Sequence, residues 1–375
     1  MKNSQKQLSF IVLSLLAASV LLLLRISTST PVVYLENPVL ICLFCILAGI
    51  LGIALSMGVH ILLHETGHLI FGLTQGFRFK SFRIGSVAVM KSRKGWSIAR
   101  YSIPGTGGQC LMDPPAEEAS VRQVQIYLLG GVAVNLLLLL LNLLLLFFAS
   151  DILYVNTALA SALFIGAALT AVNIYPFKGN VIPNDISNYI TIERDPLSKT
   201  ILLNQLNINS SVIENQHIAD IDPDYFRLPA DIDYSNFIHI NAMLTSATYL
   251  MEKEEFEKAK NLFNKIRFKS RVLPSPIRME VKCNVALIYL IEGKKENSYR
   301  RFESIFDNGM KAYAEKMKKY MPDKYTLLIA YYLLYRKDRK QADRLMEELK
   351  SKYGKYVGKG ELTEEIEFLN KFILN

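Results

Sequence analysis

The sequence predicts an all-α membrane protein: about four transmembrane helices with a small β-hairpin at the membrane surface, followed by a soluble α-helical repeat domain. Three observations predict it. Residues 8–24, 39–63, 126–149 and 152–172 are almost free of charge, and runs of that length can cross a bilayer. Segment 77–101 alternates polar and apolar side chains, the period of a half-buried strand. Residues 177–375 are rich in Lys and Glu and carry helix-turn-helix patterns at a regular interval. The expected organisation is a transmembrane domain over 1–176, a loop and linker over 177–234, and a cytoplasmic helical domain over 235–375.

The expected spans are 8–25, 39–72, 123–149 and 153–175. The first follows Lys2 and Lys6 and resembles a signal peptide in layout. Residues 26–30 give no small-x-small cleavage site, so it reads as a retained helix. Orientation follows from the loops. Residues 76–100 carry Arg78, Lys80, Arg83, Lys91, Arg93, Lys94 and Arg100, whereas 26–38 carries only Glu36 and 149–157 only Asp151. Basic loops stay in the cytoplasm. Both termini are therefore expected inside, in a multi-pass protein of a cell membrane, and the short layout suggests a bacterial one. The net charge of +9 reflects this topology, and no nucleic-acid motif accompanies it.

The basic loop is expected to form a hairpin or small sheet. Phe79, Phe82, Ile84, Val87 and Val89 supply one apolar series and Trp96, Ile98 and Tyr101 a second. Lys94-Gly95 marks the turn, and Pro104-Gly-Thr-Gly-Gly108 marks a tight loop. The cysteines are Cys42, Cys45, Cys110 and Cys283. Cys42 and Cys45 lie in an apolar run without a partner pair, so they read as small hydrophobes rather than a redox or metal motif.

The chemistry concentrates at the end of the second span, in His64-Glu65-Thr66-Gly67-His68. Residues i and i+4 share a helix face, so His64 and His68 can ligate one Zn²⁺. Glu65, beside the first His, is placed to act as general base on a water at the metal. Two imidazoles and a carboxylate are costly in an apolar run unless they have a function. His60 lies one turn earlier on the same face and reads as a supporting or packing residue. The third ligand must come from another segment. Asp185 follows the Pro176–Pro183 loop, and a carboxylate is an ordinary third zinc ligand. Asp185 also precedes the periodic Ile186, Tyr189, Ile190 and Ile192, so a helix-capping role stands beside the ligand role.

These motifs resemble those of the site-2 protease family of intramembrane zinc metalloproteases. His64-Glu65-Thr66-Gly67-His68 fits the HExGH form. Gly130-Gly131-Val-Ala-Val-Asn135 is similar to Gly-Pro-x-x-Asn, and Asn173-x-x-Pro176 followed by Asp185 is similar to Asn-x-x-Pro…Asp-Gly. The resemblance covers about residues 39–195. It implies one zinc per chain held by His64, His68 and Asp185, with Glu65 catalytic. It also implies Asn173, and with less force Asn135, near the substrate. The 77–101 hairpin resembles the family's membrane-associated β-element, which can pair with an unwound substrate. Val132 stands where the pattern has Pro, Ile186 where it has Gly, and the Asn173–Asp185 loop is longer than usual.

In the soluble part, 177–234 is expected to be a linker with one helix near 197–207. Segments 236–267, 276–308 and 323–352 each read as helix, turn, helix. Their spacing of about 40 residues is somewhat longer than that of the tetratricopeptide repeat they resemble. Such stacks present a concave face for a protein partner. His217 and His239 lack ligand-spaced partners.

The implied activity is hydrolysis of peptide bonds in membrane-embedded or membrane-proximal substrates. One alternative is a non-catalytic membrane scaffold that recruits a cytoplasmic partner through its helical tail. Another is a membrane metalloprotease of the prenyl-protein type, which takes a Glu as third ligand.

Overall fold

The computed structural model describes residues 32–103, 105–115, 118–149, 152–176, 182–270, 273–293, 297–352 and 359–374. The expected span at 8–25 lies outside them. The chain is mostly helical and divides into two compact units. One contains the described residues up to 75, then 122–176 and 184–190. The other contains 76–121, the described residues of 177–183, and 191–374.

The first unit is built on three helices long and apolar enough to cross a membrane: α1 (Pro38–Thr74), α2 (Val121–Phe148) and α3 (Leu153–Ile174). α1 starts where Asn37 accepts a hydrogen bond from the Val39 amide and Pro38 takes the first helical position. Its 37 residues extend about 55 Å, well beyond a hydrocarbon core of about 30 Å. The apolar side chains Leu43, Leu47, Ile50 and Leu51 face outward and are exposed. The buried stripe is instead small or polar: Gly52, Ser56, His60, Gly67 and His68. That inversion suits helices whose outer surface meets lipid, where small residues let helices approach. Gly67 of α1 and Gly130 of α2 mark a close approach of the two helices. A Cβ on either would run into the other's carbonyl oxygen.

A shorter helix, α4 (Asp185–Arg194), follows the third span. Asn184 joins the two. Its Nδ2 donates to the carbonyls of Val172 and Tyr175 at 2.7 Å and of Asn173 at 3.2 Å, closing the last turn of α3. Its Oδ1 accepts from the amide and the hydroxyl of Ser187 at 3.0 and 2.7 Å, opening α4. Asn184 is the cap, so Asp185 is released from that duty.

In the second unit the expected hairpin is one part of a four-stranded antiparallel sheet, in the order β3-β2-β1-β4. Its strands are β1 (Arg78–Ile84), β2 (Val87–Ser92), β3 (Gly95–Arg100) and β4 (Gly108–Asp113). The turn lies at Arg93-Lys94, one residue ahead of the expected Lys94-Gly95, and Gly95 opens β3. The strand Gly108–Asp113 was not foreseen, because its sequence shows little β-branched character. A bulge between Phe79 and Ser81 explains the odd step in the apolar series. It admits Lys80 as an extra residue and so returns Phe79 and Phe82 to one face. The opposite face buries Ala88, Met90 and Tyr101 against Ile213. Arg83 is fully buried. It donates to the carbonyls of Gly85 and Gly108 and to the Thr106 hydroxyl, fixing the loops at one end of the sheet.

The rest of this unit is helical. The expected helix near 197–207 is longer, as α5 (Pro196–Ile213). Asp195 caps it by accepting from the Leu197 amide. Helix pairs follow: α6 (Phe237–Glu252) with α7 (Phe256–Lys269), and α8 (Ser275–Glu292) with the short α9 (Ser298–Glu303). After α10 (Asn308–Met317) come α11 (Asp323–Ala330), α12 (Arg339–Ser351) and α13 (Lys359–Leu369). Their shared core includes Ile240, Phe263, Val281, Ala286, Phe302, Tyr325, Leu328 and Leu349. Glu254, Asn297 and Lys337 each adopt positive φ, one near each expected helix-turn-helix turn. His239, for which no role was expected, is a buried staple. It accepts from the Asp233 amide at Nδ1, and its Nε2 lies 2.8 Å from the Asp195 carboxylate.

Candidate metal centre

The site grows from the helical repeat. The i, i+4 spacing sets His64 and His68 on the inward stripe of α1, with ring centroids 4.8 Å apart and nearly perpendicular. The start of α4 brings Asp185 to both. His64 Nε2, His68 Nε2 and Asp185 Oδ2 form a triangle with all three sides at 3.2 Å. Among the described residues this is the one group of His, Cys, Asp and Glu arranged to hold a metal ion.

The donor set fits zinc. Tetrahedral bonds of about 2.0–2.1 Å separate neighbouring ligand atoms by about 3.3 Å, close to the spacing found here. Two neutral imidazoles and one carboxylate also match the His₂-carboxylate sets of catalytic zinc sites. The side chains are mostly enclosed, with His64 12%, His68 8% and Asp185 24% exposed. His68 is oriented from behind, since its Nδ1–H donates to the Tyr127 carbonyl at 2.9 Å. That bond places the proton on Nδ1 and turns the Nε2 lone pair toward the triangle.

Room for an ion depends on Gly131. A Cβ there would lie 2.5 Å from His64 Cε1 and 2.6 Å from both Nε2 atoms. The Gly130-Gly131 pair thus has two duties: Gly130 brings α2 against α1, and Gly131 leaves the donor atoms uncovered.

The other sequence-expected residues are placed as follows. Glu65 is half-buried, one residue along α1 from His64. Asn173 sits in the last turn of α3, where its Nδ2 donates to the Leu169 carbonyl at 3.1 Å. Asn135 is buried, with its amide between His60 and His64, 3.2 Å from one Nδ1 and 3.1 Å from the other. The residues missed from sequence are Asn184 and Tyr127, while Gly131 was read only as part of the Gly130–Asn135 motif, without this role. Asn184 could have been found as a capping residue just ahead of a periodic run. Tyr127 acts through its backbone and leaves no sequence signal.

A membrane-spanning helix bearing His-Glu-x-x-His, closed by a carboxylate from a distant segment, defines a membrane protein with a candidate metallopeptidase centre. The chain belongs to Peptidase family M50, the site-2 protease family, whose model matches residues 52–321. The match takes in α1 from Gly52 onward, α2, α3, the sheet and the helices as far as α10, and so reaches well past residue 195, where the resemblance ended. The chain is accordingly a protease-family integral membrane protein. No curated protein matches it, and neither does any solved structure.

Proposed function

We propose that this chain is an intramembrane zinc metalloendopeptidase that hydrolyses peptide bonds of membrane-embedded or membrane-proximal substrates. The observation that carries the reading is the equal-sided triangle of His64 Nε2, His68 Nε2 and Asp185 Oδ2, beside Glu65 in a chain of a peptidase family. These three residues would hold one zinc. When bound there, zinc supplies Lewis acidity that polarises a substrate carbonyl and makes a neighbouring water easier to deprotonate.

The chain's own groups supply the rest. Glu65 accepts the proton of the attacking water and delivers it to the leaving amide nitrogen. His68 is held by Tyr127, and Asp185 is delivered by the Asn184 cap. Asn173, at the end of α3, would meet the substrate backbone. Substrate helices must unwind before attack, because their backbone groups are already paired within the helix. The β3 strand lies at one edge of the sheet and offers hydrogen-bonding groups to an extended segment. The basic sheet and the helical unit belong on the cytoplasmic side by the charge rule. There the tetratricopeptide-like helices would engage a protein partner.

The test is cleavage of a transmembrane peptide by purified protein in detergent or vesicles. Activity should disappear with Glu65→Gln and with a chelator, and return with added zinc. Unchanged cleavage in Glu65→Gln would remove Glu65 from the chemistry. A chain that binds zinc yet cuts nothing, while deletion of the helical tail alone alters the cell, would favour the scaffold reading.

A further inference from the structure

The last described helix, α13, continues to Leu374 as a turn of π-helix. Leu362, Leu369 and Ile373 form its buried stripe, the pattern of an amphipathic helix. Phe368 and Phe372, four residues apart, pack on Phe256 at the start of α7, with ring centroids 6.2 and 5.2 Å away. Lys371 pairs with Glu254 in the turn just before α7. At α11, the Thr326 hydroxyl donates to the Glu365 carboxyl group. The segment 359–374 therefore bridges the turn of the first helix pair and α11, two parts of the helical unit that are far apart in sequence.

One residue of this segment does not suit its place. Glu365 stands on the buried stripe, one turn from Leu362 and one turn from Leu369. The surface it meets is already acidic. Lys324 of α11 is 1% exposed, and its ammonium pairs with Glu280 of α8 and with Asp323. Tyr313 of α10 donates to that same Glu280. Glu252, at the end of α6, adds its charge from another side. Three carboxylates thus stand around one ammonium before α13 brings a fourth. Burial, and then the Asp323 carboxylate, push the Glu365 carboxyl well above its ordinary 4.5, against the bond from Thr326. Docking of α13 is therefore coupled to proton uptake. It is strongest below the ordinary value, weakens as pH rises from there, and levels off above the raised value.

We propose that α13 is a displaceable occupant of a partner-binding surface formed by the start of α7 and by α11. The partner is an amphipathic helix that carries aromatic side chains at i and i+4 and, three residues before them, a basic residue where α13 has Glu365. Helices in grooves are read through such anchors. The aromatic pair takes the place of Phe368 and Phe372 on Phe256. The basic residue supplies the cation that Glu252, Glu280 and Asp323 lack. A resident helix with the wrong charge at its centre holds its place less tightly than a partner with the right one, which gives the surface both occupancy and selectivity. A second copy of this chain brings the same Glu365 and gains nothing over the resident helix.

The inference rests on the reading of the helical unit as one that engages a protein partner, and its test separates the two. The first measurement is amide exchange over residues 359–374 of the full chain in detergent, corrected for the intrinsic effect of pH. Protection in wild type should fall roughly tenfold or more between about pH 5 and pH 8, since each tenfold in proton affinity is tenfold in the docking equilibrium. Glu365→Gln needs no proton and should keep its protection across that range. Wild-type protection that ignores pH, or a Glu365→Gln chain no better protected than wild type at the upper end, would overturn the inference and leave a partner on another face of the unit standing. The second measurement uses a full chain with Phe368→Ala and Phe372→Ala, whose α13 has lost its hold on Phe256, and two labelled peptides of residues 359–374. At neutral pH the peptide with Glu365→Lys should bind roughly tenfold or more tighter than the unaltered one. Equal binding would overturn the inference. Binding of neither peptide would overturn it and also remove this surface from the partner reading. If the doubly substituted chain does not fold, Phe372→Ala alone serves for the same comparison.

Discussion

Ile186 shares one buried cluster with Val132, completed by Ile174 and flanked by Leu129, Leu136 and Ile190. These are the two positions at which the chain departs from the motifs of its family. The structure joins them: Val132 on α2 and Ile186 in the first turn of α4 are 4% and 6% exposed. Asp185 is the residue before Ile186, so this contact sets where the carboxylate lies. The departures therefore belong to one packing arrangement that seats the third candidate ligand.

Ile186→Gly should accordingly weaken the centre, although it restores the family's residue. It removes a buried side chain worth about 2–5 kcal/mol in comparable truncations and loosens the first turn of α4. Zinc should dissociate faster, and α4 should exchange its amides sooner. Val132→Ala and Ile186→Ala should be non-additive, with a coupling of about 0.5 kcal/mol or more, as for residues sharing one contact. A double-mutant cycle on thermal stability measures this. Strict additivity would show that the two side chains act separately.

Gly131→Ala tests the space over the donor atoms. The added methyl would lie 2.5–2.6 Å from His64 Cε1 and from both Nε2 atoms, well inside van der Waals contact. Zinc stoichiometry should fall from one per chain toward zero while the helical content is kept. Gly58→Ala is the control, because a Cβ there meets nothing within 4 Å. It should bind zinc as wild type does. Full zinc occupancy in Gly131→Ala would mean that the donor atoms are approached from another side.

The sequence made some of this legible and hid the rest for physical reasons. The spans of α1, α2 and α3 follow from apolar length alone, and His64 and His68 from a local repeat on one helix. Asp185 was legible as a choice between ligand and cap. The capping duty falls to Asn184, whose bonds reach back to Val172, Asn173 and Tyr175, far from it in sequence, where no local pattern shows them. The strand Gly108–Asp113 pairs with β1, about thirty residues earlier in the chain, so tertiary pairing overrides its weak propensity. His239 looked idle because its partners, Asp195 and the Asp233 amide, meet it only in the folded chain. Tyr127 acts through a backbone carbonyl, which leaves no characteristic spacing, and Gly131, though it stands in the Gly130–Asn135 motif, acts through the side chain it lacks.

The bulge residue Lys80 gives the sheet its own test. Its ammonium pairs with Glu214 just after α5, and Glu214 also accepts from the Arg93 amide at 3.0 Å. The two ends of this pair are unequal, because the Lys80 side chain is 6% exposed and that of Glu214 22%. Glu214→Ala leaves an ammonium buried without its counter-charge, which should destabilise the unit by about 3–5 kcal/mol. Lys80→Met leaves a carboxylate that keeps the Arg93 amide and reaches water, so it should cost only about 1–2 kcal/mol. Burial pushes the Glu214 carboxyl upward, but the bonds from Lys80 and Arg93 outweigh it and hold the group below its ordinary 4.5. Its stabilising contribution is thus present above that pH and fades as pH falls through the lower folded-state value. Amide exchange of β1 and β2, followed from neutral to acidic pH, should show wild type approaching the Glu214→Ala rates only in acid. Equal destabilisation by the two substitutions would mean that both charges are solvated and that the bulge is held by the sheet alone.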